Sequence, residues 1–251
     1  LTGSVAAGST IGELAGKHLK PFVLELGGSD PFVVLEDADV LKAADAAVKA
    51  RFVNNGQSCI AAKRFFVVKS VASQFVEEVV KRTQQLRVGN PIDPETQLGP
   101  LAREEQVKLL EKQIKDSVKQ GAKIACGGKR LPGYGYFFMP TVLLHVKSSM
   151  AVMQEETFGP VLPIMVVKDA AEALRLANSS SFGLGASVWT KNLQQAESFA
   201  RHLEVGFVAI NTLVKSDPRL PFGGVKNSGM GRELSRYGLL EFCNVKTVVV
   251  Q

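Results

Sequence analysis

The sequence predicts an α/β fold, a mostly parallel sheet flanked by helices on both faces. Short, nearly continuous apolar runs alternate along the 251 residues with longer segments of helical periodicity, the pattern that βαβ units produce. The runs at 31–35 and 161–167 lack the in/out alternation of a sheet with one wet face, as strands covered on both sides do. A composition of 45% hydrophobic and 22% charged residues suits one large domain or one and a half.

Taken in order, Thr2-Gly3-Ser4-Val5-Ala6-Ala7-Gly8 leads into a helix with Ile11, Leu14 and Ala15 at helical spacing. A Gly/Ser turn there can hold a phosphate, because free N–H groups and the helix dipole point at it. Residues 21–26 read as a buried strand stopped by Gly27-Gly28. Within it Glu25 is anomalous: a carboxylate in an apolar strand is either functional or on an edge facing solvent. Residues 31–35 form the next strand. Asp37 or Asp39 caps a helix carrying Leu41, Ala44, Val48 and Phe52 on one face.

That helix runs into Asn55-Gly56-Gln57-Ser58-Cys59-Ile60, a Gly-bearing turn before the next strand. Glycine lets a backbone approach a ligand closely, and binding sites in open α/β sheets collect at such turns. Cys59 is there either as a small buried hydrophobe or as a nucleophile, which needs a lowered pKa and a base nearby. A strand at 65–69 follows, then a helix at 71–86 with Phe75, Val76, Val79, Val80 and Leu86 inward. A breaker-rich loop at 89–94 precedes a helix at 103–120. Strands at 123–126 and 141–146 flank a Gly/Pro/Tyr-rich connection. Strand 161–167, helix 170–177, strand 186–190, helix 193–203 and strand 206–210 complete the alternation.

Two loops stand apart. Gln154-Glu155-Glu156-Thr157-Phe158-Gly159-Pro160 is acidic and aromatic, immediately before a buried strand. Residues 221–233 carry four glycines in nine positions, either a surface excursion or a backbone shaped around a ligand. The end, 244–250, reads as an exposed edge strand, which invites pairing with another chain.

Several function classes are excluded. No stretch approaches the roughly 18 apolar residues of a membrane helix, and the opening Leu1-Thr2-Gly3-Ser4 shows no signal-peptide pattern and reads as the middle of a longer chain. Three cysteines, Cys59, Cys126 and Cys243, at wide spacing fit a reducing cytoplasm. No Cys–His cluster has metal-ligand spacing. The formal charge of +6 is spread along the chain without a nucleic-acid motif.

Together these pieces resemble the NAD(P)-dependent aldehyde dehydrogenase family. The resemblance covers essentially the whole chain. It rests on Leu24-Glu25-Leu26-Gly27-Gly28, Gly56-Gln57-Ser58-Cys59, Glu156-Thr157-Phe158-Gly159-Pro160 and the 221–233 glycine loop, in that order. Glu25 and Cys59 are 34 residues apart, Cys59 and Glu156 are 97 apart, as in the family. Leu26-Gly27-Gly28-Ser29-Asp30-Pro31-Phe32, Ala61-Ala62-Lys63-Arg64-Phe65 and Lys215-Ser216-Asp217-Pro218-Arg219 bring it nearest to the bacterial succinate-semialdehyde branch.

The resemblance implies a catalytic domain over 27–235, a remnant of the Rossmann-like coenzyme domain over 1–26 and an oligomerisation tail over 236–251. It implies that the Cys59 thiolate attacks an aldehyde, that hydride leaves for NAD or NADP, and that water activated by Glu25 hydrolyses the thioester. Glu156 would bind the nicotinamide ribose, Phe158 would wall the nicotinamide, Leu26 would contact the coenzyme, and Gly3 and Ser4 would approach the pyrophosphate. Phe222 would line the substrate tunnel. The family's first half, with most of the coenzyme domain and the Asn completing the oxyanion hole, has no counterpart in these residues, so little turnover is expected of them alone. Many succinate-semialdehyde enzymes have Arg six residues before the cysteine; here it is Val53. Arg51 is about 200° away around the helix, which leaves Ser216 and Arg219 as the candidate carboxylate partners. A homodimer or homotetramer is implied. An aldehyde dehydrogenase for another short aldehyde, a thioesterase-like or CoA-acylating relative, and a catalytically idle scaffold are the rival readings; the retained Glu25 weighs against CoA acylation, and Glu25 with Cys59 against the idle scaffold.

Overall fold

Phe32 and Val34 face one way from their strand and Val33 and Leu35 the other, all without solvent exposure. In the neighbouring strand Phe65 and Val67 share the first side, Phe66 and Val68 the second. This two-residue alternation gives the sheet two apolar faces, and each needs a helical layer to cover it. The computed structural model describes all 251 residues.

The chain begins with α1 (Val5–Lys17), whose first turn is capped by the Ser4 hydroxyl accepting from the Ala7 N–H at 3.2 Å. Then come β1 (Leu24–Glu25), β2 (Asp30–Val34), α2 (Val40–Phe52), β3 (Ala62–Val68) and α3 (Lys69–Gln84). The second half adds α4 (Glu104–Lys119), β4 (Lys123–Cys126), β5 (Thr141–Leu144), α5 (Ala151–Gln154), β6 (Val161–Val167) and α6 (Ala170–Asn178). It continues with β7 (Phe182–Gly183), β8 (Gly185–Trp189), α7 (Leu193–His202), β9 (Phe207–Ile210), β10 (Val225–Lys226), β11 (Gly229–Met230) and α8 (Ser235–Leu240).

Seven strands form one sheet in the order β4-β5-β6-β3-β2-β8-β9. All its pairs are parallel except β4–β5. Helices α2 and α3 cover one face, where Phe32 stacks on Trp189 at 5.7 Å between ring centroids; α4, α6 and α7 cover the other. The mostly parallel α/β architecture expected from the sequence is therefore the one observed.

Three local expectations are corrected. Leu41 is half exposed, because the inward stripe of α2 starts at Val40 and continues through Ala43, Ala44, Ala47 and Val48. The strand expected over 21–26 shrinks to the two residues of β1, which pair antiparallel with β11. The strand expected over 244–250 does not form: these residues carry no ladder and are all exposed, since nothing in this chain offers their N–H and C=O groups a partner.

Candidate active site

At the end of α2 the chain must reverse toward β3. Asn54 (φ 49°), Asn55 (φ 57°) and Gly56 (φ 71°) do this in three successive left-handed conformations. Asn tolerates that region better than most residues. Gly56 has no alternative, because a Cβ there would meet the Gly159 carbonyl. The Asn55 side-chain amide donates to the Gly99 carbonyl at 2.8 Å, and the Gln57 side-chain oxygen accepts from the Ala102 N–H at 2.9 Å. The turn that leads to Cys59 is thus tied to the 99–102 segment.

Arg51 ties this turn to the acidic loop. It is fully buried and donates to the carbonyls of Ala62 (2.9 Å), Gly56 (3.2 Å), Thr157 (2.8 Å) and Gly159. Both terminal nitrogens are therefore committed to backbone, and Val53 is more than half exposed at the mouth of the turn. Neither residue stands as a free cation beside Cys59.

Glu25 arrives from β1. Its backbone is bracketed by Gly3, whose N–H donates to the Glu25 carbonyl at 2.9 Å, and by Gly229 of β11. A Cβ at Gly229 would strike the Leu24 carbonyl, and one at Gly223 would come within 3.0 Å of a Glu25 carboxylate oxygen. The glycine-rich loop is thus backbone packed against the strand that carries Glu25. Both carboxylate oxygens are buried without a hydrogen-bond partner in the chain. Burial, reinforced by repulsion from Glu233 and opposed by Arg232, raises the Glu25 pKa to about 7.

Gly27-Gly28 brings the third component in. A Cβ at Gly28 would lie 2.5 Å from the Cys59 carbonyl oxygen, and one at Gly27 2.6 Å from a Glu156 carboxylate oxygen. Only glycines let this strand end touch both loops. The Gly28 N–H donates to Glu156 Oε1 at 2.9 Å, and the ammonium of buried Lys63 lies 3.7 Å from the same oxygen. Glu156 Oε2 is left free of hydrogen bonds.

These groups open on one cavity of about 590 Å³. Gly3, Ser4, Glu25, Leu26, Cys59, Glu156 and Phe158 all line it, so seven residues singled out from the sequence meet in one place. Burial pushes the Cys59 thiol above its ordinary pKa, with the Lys63 charge the strongest opposing influence. A cavity that joins a thiol to a near-neutral carboxyl can run nucleophilic attack at one group and proton abstraction at the other.

Three expected substrate residues are placed elsewhere. Phe222 is buried and bridges Glu233 beside the glycine loop. Ser216 is exposed, and the exposed Arg219 grips Asp217 through Nε (2.9 Å) and Nη2 (2.7 Å); none of the three lines the Cys59 cavity. Sequence reasoning passed over Arg103, which lines the cavity and forms no ion pair with any acidic side chain. Its signal was spatial: Ala102, its neighbour, is the residue bonded to Gln57.

The family profile described as "Aldehyde dehydrogenase family" matches residues 1–248. Succinate-semialdehyde dehydrogenase NADP(+) 1 of Mycobacterium tuberculosis (strain H37Rv) is 49% identical over 248 residues, 99% of this chain and 54% of that protein. Succinate semialdehyde dehydrogenase NAD(P)+ Sad of Escherichia coli K12 is 50% identical over the same share of each. The solved lactaldehyde dehydrogenase of Escherichia coli superimposes with a TM-score of 0.93 at 38% identity, over 96% of this chain and 51% of that one. The chain spans about half the length of the relatives it matches. With the fold, the gathered motifs and these likenesses in agreement, the chain belongs to the aldehyde dehydrogenase family.

Proposed function

We propose that this chain forms the catalytic part of an enzyme that oxidises an aldehyde to a carboxylic acid with NAD or NADP, and that its substrate is succinate semialdehyde. One observation carries the chemistry: Cys59 and a buried, partnerless Glu25 line the same cavity as Glu156 and Phe158. The relatives' names support the substrate.

The residues present fit a nicotinamide coenzyme. Glu156 Oε2 is free to accept a ribose hydroxyl, the Phe158 ring offers a flat wall, and Gly3-Ser4 open the N-terminus of the 13-residue helix α1 beside the cavity. Bound there, the coenzyme supplies the hydride acceptor. The chain's own groups do the rest. Cys59 Sγ attacks the carbonyl carbon, forming a C–S bond while the carbonyl π pair moves to oxygen. The Cys59 N–H, which has no acceptor in the chain, is a donor for that oxyanion. Oxidation leaves the acyl group as a thioester on Cys59. Glu25 then takes a proton from water, the hydroxide adds to the acyl carbon, and the C–S bond breaks to release the acid and the thiolate. Glu25 near pKa 7 suits a base that alternates between the two forms at neutral pH. Hydrolysis at a retained base favours this reading over CoA acylation.

In this reading residues 27–235 are the catalytic domain, 1–26 the edge of the coenzyme domain and 236–251 an oligomerisation tail. Exposed Leu239, Phe242, Val245 and Val248–Val250 support pairing of the tail with a second copy, in a homodimer or homotetramer. The 251 residues alone should turn over little, because the relatives' other half is needed to complete coenzyme binding. The test is NAD(P)H formation by a full-length form, comparing succinate semialdehyde with uncharged aldehydes of similar length. Equal rates would sink the substrate, and brisk turnover by residues 1–251 alone would sink the need for the other half.

A further inference from the structure

Lys63 belongs to the Ala61-Ala62-Lys63-Arg64-Phe65 run, and nothing in the chemistry above uses it. Its side chain has no solvent exposure, rare for lysine unless its charge is engaged. The ammonium has three protons to donate. It lies 2.8 Å from the Cys59 carbonyl, 2.9 Å from that of Ser58 and 3.3 Å from that of Ala61. One lysine thus holds three carbonyls of the nucleophile turn.

The consequence is geometric. No peptide bond in the chain is cis, so the C=O and N–H of each unit point in opposite directions. Holding the Ser58 carbonyl on Lys63 turns the Cys59 N–H, in the same unit, away from Lys63. Holding the Cys59 carbonyl turns the Ile60 N–H likewise, and the Ile60 backbone is one of the influences that favour the Cys59 thiolate.

We propose that Lys63 is the positioning residue of the nucleophile turn: by anchoring the Ser58 and Cys59 carbonyls it aims the Cys59 N–H at the oxyanion and the Ile60 N–H at the thiolate, and its buried charge supports that thiolate. The proposal deepens the reading of Cys59 as nucleophile. The surrounding charges set the balance. Lys63 favours the thiolate, while Asp30 from β2 and Glu25 from β1 oppose it; Glu156 and Arg103 line the same cavity. Burial, reinforced by Arg51, lowers the Lys63 pKa to about 8, with Asp30 and Glu156 opposing the shift, and Arg64 acts in turn on Asp30. Lys63 also lies 5.9 Å from the Phe158 ring centre and 3.7 Å from Glu156, so the same side chain braces the proposed coenzyme wall.

The test is the pH profile of alkylation by iodoacetamide, followed cysteine by cysteine by mass spectrometry on this chain. In Lys63→Met the Cys59 midpoint should rise by roughly one pH unit, about tenfold in rate below the midpoint, with the Cys126 and Cys243 profiles unmoved. Lys63→Arg, which keeps the charge, should hold the midpoint near the parent's. A folded Lys63→Met with an unchanged Cys59 midpoint overturns the proposal, as does a Lys63→Arg that behaves like it. Should neither variant fold, the parent chain decides: a thiolate supported by a buried charge keeps its midpoint between low and high salt, whereas a salt-dependent midpoint assigns the support to surface charges. Full-length enzyme that still oxidises aldehyde after Cys59 is alkylated would defeat the nucleophile reading separately, because the midpoint shift does not depend on turnover.

Discussion

Replacing Glu25 by Gln should stabilise the chain at alkaline pH and leave it nearly unchanged in acid. The carboxyl is buried with both oxygens lacking a partner, and its pKa rises from 4.5 to about 7. The folded state therefore binds its proton more tightly than the unfolded state, and folding stability falls as pH rises between the two values. A gap from 4.5 to about 7 corresponds to roughly 3 kcal/mol. That contribution is fully present below pH 4.5 and gone above about 7. Glutamine keeps the shape and never ionises, so the stability of Glu25→Gln minus that of the parent should climb by about 3 kcal/mol across this window and then level off. Urea unfolding followed by circular dichroism between pH 4 and 8.5 measures it, and the subtraction removes the titration of every other group. A difference that stays flat with pH would show that Glu25 ionises as freely as an exposed carboxylate, and the physical basis for its role as base would fall.

Three further outcomes follow from the packing. Gly28→Ala should cost about 1–3 kcal/mol and abolish turnover in a full-length form, because its Cβ would sit 2.5 Å from the Cys59 carbonyl oxygen; an alanine variant with parental activity would contradict the close approach. Arg51→Met should destabilise by about 3 kcal/mol or more, since it strands the buried carbonyls of Gly56, Ala62, Thr157 and Gly159; thermal unfolding reads this directly. Arg103→Ala should raise KM for succinate semialdehyde about tenfold and leave uncharged aldehydes unaffected, while Arg219→Ala, whose guanidinium already grips Asp217, should do less. The reverse order would return the carboxylate to Arg219 and Ser216.

Much of the sheet is legible in the sequence because burial on both faces leaves continuous apolar runs, as at Val161–Val167, and because α3 and α4 carry long amphipathic patterns. Boundaries are less legible. Leu41 looks like part of the inner stripe until the start of α2 at Val40 fixes its phase. The 244–250 stretch has the composition of a strand, but a strand exists only with a partner, and none is present within this chain. The site divides in the same way. Cys59 and Glu25 stand out as chemical anomalies, a thiol in a glycine turn and a carboxylate in an apolar strand. Their meeting in one cavity depends on β1 pairing with β11 some 200 residues away, which no local pattern encodes; the family resemblance supplied it. The burial of Lys63 and Arg51 and the cavity position of Arg103 left no local signal, because both emerge only from the packing of distant loops.

The most direct test of the central claim is mass spectrometry of a full-length Glu25→Gln enzyme mixed with succinate semialdehyde and NADP. Without its base the enzyme should stall as the thioester, so the peptide bearing Cys59 should gain one succinyl group, and alkylating Cys59 beforehand should prevent it. Undiminished steady-state turnover with no acyl group on Cys59, or acylation at Cys126 or Cys243 instead, would contradict the assignment of nucleophile and base.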